Sequence, residues 1–237
     1  MKKILVILVP FLLIAQMLVG QPSAAPKKDR SAVDTTAALY PSSWDTRAQK
    51  LITTILLKLH YRNIDLNDSL SSEILDRYIK ALDYNRMYFL ASDIKRFDRY
   101  RNSLDDNLKA GNLVPAFEIF NTYKVRVRER TNRIAEQLKK PMDFSVDETF
   151  EYNRENVAWA KTNAELDEVW RKSLKNQILS LKLSGKALDS TNETVLSRFK
   201  NQHRRIEQYK PEDVFNFYMN ALTTSVDPHT NYFSPMD

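Results

Sequence analysis

The 237-residue chain has no cysteine, three glycines and three histidines. Without cysteine there are no disulfides to carry the fold and no residue for a lipoprotein anchor. Stability must come from a buried core, which 43% hydrophobic and 11% aromatic content can supply. The glycines are Gly20, Gly111 and Gly185. Tight hairpins, phosphate loops and nucleophile elbows depend on glycine for positive φ or close backbone approach. So few glycines exclude a sheet-rich or phosphate-cradling domain and point to an all-α fold. His60, His203 and His229 lie far apart, none with a second ligand at metal spacing, and no H-E-x-x-H occurs. No metal-binding or cofactor-binding residue is assigned.

Charge is also weak. Thirty-six Lys and Arg against 30 Asp and Glu give +6, or +4 without Lys2 and Lys3. The densest basic run, Lys124, Arg126, Arg128, Arg130 and Arg133, is interrupted by Glu129 and matches no nucleic-acid motif. Charges of both signs look like solvated helix faces, and no nucleic-acid partner is expected.

The N-terminus supplies the first positive signal. Lys2 and Lys3 precede an apolar stretch from Ile4 to Val19, broken by Pro10 and Gln16, and Gly20, Ser23, Ala24 and Ala25 follow. That order is a secretory signal peptide over residues 1–25, with cleavage between 20 and 25. The stretch is marginal for a span of roughly 20 residues. The expected location is therefore the periplasm, with no membrane span after cleavage and inner-membrane attachment if the segment stays on. Residues 26–42 read as a flexible leader.

From 43 onward the apolar period is helical. Trp44, Ala48, Leu51, Ile52, Ile55, Leu56 and Leu59 mark a first helix capped by Ser43. Leu70, Ile74, Leu75, Tyr78, Ile79 and Leu82 mark a second. A third is expected from Ser92 through Ile94, Phe97, Leu104 and Leu108 to Gly111, a glycine suited to a left-handed C-cap. Pro115 opens a fourth, which runs to Pro141. Residues 141–161 lose the period and read as an irregular loop or short strand. Thr162-x-x-Glu165 and Ser190-x-x-Glu193 fit capping boxes, the first leading a helix that stops at Gly185. Pro211 starts the last helix. The aromatic stripes at helical spacing are expected to be core, with Trp170 an anchor among Leu166, Val169, Leu174, Ile178 and Leu181.

Catalytic patterns are thin. No G-x-S-x-G is present. Two S-x-x-K matches occur, Ser92 with Lys95 and Ser197 with Lys200. Such a pair needs a lysine kept neutral by burial; Ser92 reads instead as a helix cap and Ser197 falls mid-helix among charges. Asp227-Pro228-His229-Thr230 could suggest acid–base work, but no nucleophile accompanies it. The sequence reads as a rigid exit loop in which Asp and Thr close turns and proline fixes φ, with Tyr232 and Phe233 as apolar pins before Pro235. No catalytic residue is assigned.

That loop, followed by Tyr232 and Ser234-Pro235, resembles the segment preceding the PDZ domain in C-terminal processing proteases. His60-Tyr61-Arg62, Asp65-Leu66-Asn67, Asp76-Arg77-Tyr78, Leu82-Asp83 and Phe89-Leu90-Ala91-Ser92-Asp93-Ile94 resemble the helical domain of the tail-specific branch. Lys140 to Phe144, Trp159-Ala160-Lys161 and Leu179 to Lys186 follow in the same order. The resemblance implies that residues 43–237 are an N-terminal helical domain. In such enzymes it precedes a PDZ domain, which captures apolar C-terminal tails, and a serine/lysine-dyad core that cuts envelope proteins. The chain stops where the PDZ domain would begin, so the expected role is a non-catalytic scaffold. Expected partners are the PDZ and protease domains, substrates with apolar tails, and an adaptor or a second copy. A free-standing exported binding or adaptor-docking protein is the alternative; a hydrolase using Asp227 and His229 is a third reading, disfavoured by the scarcity of glycine.

Overall fold

Eight α-helices and one 3-10 turn, with no strand among the described residues, form the structure. The computed structural model describes residues 37–185 and 187–234. The segment read as a signal peptide, most of the leader, and Pro235 lie outside the described residues.

Helix α1 (Ser43–Leu59) starts one residue from where the sequence suggests. Its cap is Ser42, whose hydroxyl accepts the Asp45 amide while the Asp45 carboxylate accepts the Ser42 amide. The larger correction concerns its faces. Asp45, Gln49, Thr53 and Leu56 are buried, whereas Trp44, Leu51, Ile55 and Leu59 are exposed. The apolar stripe therefore points outward, and Trp44 is not a core residue. Hydrogen bonding explains the inversion: Gln49 Nε2 donates to the Leu108 carbonyl at 2.5 Å and to Thr53 Oγ1 at 3.2 Å. A buried carboxamide so paired is strongly held, and removing a partner would leave a buried polar group unsatisfied.

Helix α2 (Asp68–Leu82) is capped by Asn67, whose side chain accepts the Leu70 amide. Its apolar face, including Ile74, Leu75 and Tyr78, is buried as expected. The single helix anticipated from Ser92 to Gly111 is instead two short ones, α3 (Ala91–Phe97) and α4 (Leu104–Ala110), joined by the 3-10 turn Asp98–Tyr100. Hydrogen bonds to α2 redirect the chain: Arg101 bonds Ser72 Oγ, Asp76 and Asp98, and the Leu104 amide is given to Ser71 Oγ at 2.8 Å. Ser92 is not a cap; the Asp93 carboxylate closes that end on the Leu90 amide. Gly111 ends α4 in the left-handed conformation, φ +78°.

Helix α5 (Val114–Gln137), of 24 residues and about 36 Å, is the spine. Its first half lies in a core with α2, α4 and α8, built on Phe117, Phe120 and Tyr123. Its second half, through Ile134, joins α6 (Asn163–Leu183) and α7 (Leu188–Glu207) around Trp170 and Leu174. Tyr88 packs against both cores. The basic run on α5 is not a solvated face. Arg126 pairs with Asp93 at 2.8 Å, and Arg128 and buried Lys124 pair with Glu207 at 2.7 and 3.3 Å. Buried Arg130 and exposed Arg133 both pair with Asp167, the latter at 2.7 Å. These cations tie α5 to α3, α6 and α7.

Two capping readings need correction. Thr162 does accept the Glu165 amide, but Glu165 reaches back to Lys161, not to Thr162. Helix α7 begins at Leu188, so Ser190 lies inside its first turn and donates to the Ala187 carbonyl. Residues 141–161 contain no strand and form an irregular loop. Helix α8 (Pro211–Val226) packs along α2, with Tyr218 edge-on to Tyr78 at 5.3 Å.

Candidate functional site at the exit of the chain

Helix α8 stops at Asp227, which adopts extended backbone angles and leads into Pro228. Pro228 has no amide hydrogen to extend the helix and disfavours helical angles at the residue before it. The Asp227 carboxylate organises the turn beyond the helix. Oδ1 accepts the His229 amide at 2.9 Å, Oδ2 accepts the Tyr61 hydroxyl at 2.6 Å, and the Asp227 carbonyl accepts the Thr230 amide. These bonds to the charged form hold Asp227 below the usual carboxylate range, and the bond to Tyr61 raises that phenol above its usual value.

Two further bonds fasten the loop to the end of α1. His60 Nε2 lies 3.2 Å from Thr230 Oγ1, and Arg62 donates to the Val226 carbonyl at 2.9 Å. The loop then turns back along α8. The Asn220 carboxamide accepts the Tyr232 amide at 2.9 Å and donates to the Tyr232 carbonyl at 3.2 Å. Tyr232 seats its ring edge-on against Phe215 at 5.5 Å. The loop thus packs back on α8, with Tyr232 as its pin, while Phe233 stays exposed.

The leader is clamped the same way. Asn121 on α5 accepts the Leu39 amide and donates to the Leu39 carbonyl, both at 2.9 Å. An Asn side chain offers one acceptor and two donors, so each imitates a neighbouring strand for one residue. Neither asparagine nor the Tyr61–Asp227 pair is apparent from the sequence pattern, because the partners are 82, 12 and 166 positions apart.

The residues considered for chemistry are dispersed. Asp227 has both carboxylate oxygens bonded to Tyr61 and to backbone, an arrangement that shapes a turn and does not orient the exposed His229 ring as a base. Ser92 and Lys95 lie on α3, Ser197 and Lys200 on α7. His203 sits beside Glu207 at 3.1 Å, within the α5–α7 ion cluster. Among the described residues no group of three or more His, Cys, Asp or Glu converges in metal-binding geometry. No described helix is long and apolar enough to cross a membrane.

Fold and site together define a helical support module, with its incoming and outgoing segments tied to the bundle. The chain belongs to the N-terminal domain family of tail-specific proteases: the family profile described as the tail-specific protease N-terminal domain matches residues 52–236. A tail-specific protease of Haemophilus influenzae is 38% identical over 189 residues, covering 79% of this chain and 27% of that protein. The chain therefore spans about a quarter of the length of this relative.

Proposed function

We propose that this domain is the non-catalytic N-terminal scaffold of a periplasmic serine-type endopeptidase that degrades or trims envelope proteins from apolar C-terminal tails. In the longer enzyme it would brace a PDZ domain and a catalytic domain, and its surface could receive an adaptor. The signal-peptide pattern of residues 1–25 supports export to the periplasm. The observation that carries the scaffold reading is the fastening of the exit loop. Asp227, Thr230 and Tyr232 are tied to α1 and α8, so a succeeding domain would leave in a fixed direction instead of swinging on a tether.

Two experiments test this. Purified chain incubated with an unfolded, apolar-tailed protein is expected to leave it intact and to resist serine-directed labelling. Turnover abolished by His229→Ala would overturn the scaffold reading in favour of a hydrolase. Reading the gene downstream of codon 237 tests the second part. PDZ and protease sequence in continuation is expected; a stable stop followed by unrelated genes would favour a free-standing binding protein.

A further inference from the structure

The outward face of α1 is the least expected surface of the molecule. Trp44, Leu51, Ile55 and Leu59 recur at helical spacing along about 22 Å, and Leu51 and Leu59 are 61% and 78% exposed. Tyr40 before the helix and Tyr61 after it are exposed as well, so aromatic rings stand at both ends of an aliphatic middle. The bonds of Gln49 to the Leu108 carbonyl and of Asp45 to its cap fix this orientation. The stripe cannot turn inward without leaving buried polar groups unpaired.

The charges beside the stripe have one sign. Arg47, Lys50 and Lys58 are exposed on α1 and Arg62 is exposed just past it. Asp45 is the sole acid in the helix, and it is buried. A second copy laid face to face would oppose cation to cation. An anionic partner would instead gain both apolar burial and charge complementarity. The pattern of apolar stripe, flanking Lys and Arg, and Trp or Tyr at the ends suits a helix lying in the plane of a bilayer surface. Long cationic side chains there reach the headgroups while their methylenes stay in apolar contact.

We propose that α1 is a peripheral docking face for an anionic phospholipid surface, with Leu51, Ile55 and Leu59 entering the headgroup–acyl boundary and Arg47, Lys50 and Lys58 meeting the headgroups. The site is independent of the protease reading: loss of vesicle binding would leave the family assignment and the scaffold role untouched.

The test is flotation of the chain with vesicles, alongside Trp44 fluorescence. Both hydrophobic cores close among the described residues, so a chain starting at residue 26 is used, which removes the apolar stretch at Ile4 to Val19 as a rival binder. Circular dichroism checks its folding. Vesicles are phosphatidylglycerol with phosphatidylethanolamine, against phosphatidylcholine alone, at low salt. Binding to the anionic vesicles is expected, with a blue shift in emission that Trp44→Phe removes. The paired changes Leu51→Glu with Leu59→Glu, and Arg47→Glu with Lys58→Glu, should each weaken binding at least about tenfold with unchanged dichroism. Leu183→Glu, at an exposed leucine on α6, should leave it unaltered. No binding, equal binding to neutral vesicles, or an equal loss in Leu183→Glu would overturn the proposal. So would concentration-dependent dimers abolished by the Leu51 and Leu59 changes, which would show a second copy on the face.

Discussion

The Tyr61 hydroxyl meets Asp227 Oδ2 at 2.6 Å, joining the segment after the first helix to the residue that ends the last one. Around it His60, Arg62 and Thr230 repeat the connection. The first and last helices are thereby locked at one end of the bundle, and the direction of the outgoing chain is set by side chains 166 positions away.

Acid should loosen this junction. Asp227 titrates below its ordinary value in the folded chain because Tyr61 and the His229 amide bond its charged form. Its contribution is complete above the ordinary carboxylate range and is lost as pH falls through the lowered folded value. Asp227→Asn should abolish that acid dependence and speed exchange of the His229 and Thr230 amides at neutral pH. A wild-type acid profile in the D227N variant would assign the dependence to another group.

A second acid-sensitive clamp holds the loop of residues 141–161. Glu148 pairs with Arg171 and with Lys175, the latter at 2.6 Å, and Lys175 also donates to the Val146 carbonyl at 2.9 Å. The Arg171 and Lys175 bonds lower Glu148 from 4.5 to about 2. Its support is therefore full above pH 4.5 and fades toward pH 2. Glu148→Gln should make the loop the first site of limited proteolysis at neutral pH, with the helical dichroism retained. Cleavage elsewhere first would show that the loop is held by its apolar contacts.

Trp170 anchors the second core. It is 3% exposed, its Nε1 donates to the Met87 carbonyl at 2.6 Å, and its ring meets Tyr88 and Phe199. Trp170→Ala should cost about 3–5 kcal/mol in urea denaturation. Trp170→Phe should cost distinctly less, because much of the ring is kept while the indole donor is lost. A loss below about 1 kcal/mol for the alanine variant would contradict its assignment as an anchor.

The two described glycines offer an internal comparison. Both have positive φ, +78° at Gly111 and +88° at Gly185. A Cβ at Gly111 would run into the Lys50 side chain, whereas at Gly185 nothing lies within 4 Å. Gly185→Ala should therefore cost only the left-handed backbone penalty, about 1–2 kcal/mol. Gly111→Ala should cost at least as much and also displace Lys50. Urea melts of Gly111→Ala with and without Lys50→Ala separate the two effects; equal values would show that Lys50 moves away freely.

Much of the fold is legible in the sequence because period and punctuation agree. Pro115, Pro211, Gly111 and Gly185 mark helix ends where the pattern places them. Trp170 falls on the buried face its neighbours indicate. The departures share one cause: a tertiary hydrogen bond outweighs a local pattern. Gln49 turns α1 over through Leu108, Ser71 and Arg101 break the third helix, and acids on three elements take up the cations of α5. The exit loop is readable as a rigid turn from Asp227-Pro228, and Tyr232 as its pin. Its fastening is not, because Tyr61, Asn220 and His60 carry no signal of their partners in the linear chain.

The central claim is that the bundle holds its outgoing segment in a fixed direction, and amide hydrogen exchange across residues 226–233 tests it most directly. The Thr230 and Tyr232 amides, bonded to the Asp227 carbonyl and to Asn220, should exchange markedly slower than unstructured peptide. Asn220→Ala should release Tyr232, and Tyr61→Phe should loosen the Asp227 turn, with the bundle amides of α2 and α5 unchanged. Exchange at the unstructured rate throughout 228–233 in the unaltered chain would contradict the claim and leave the exit a free tether.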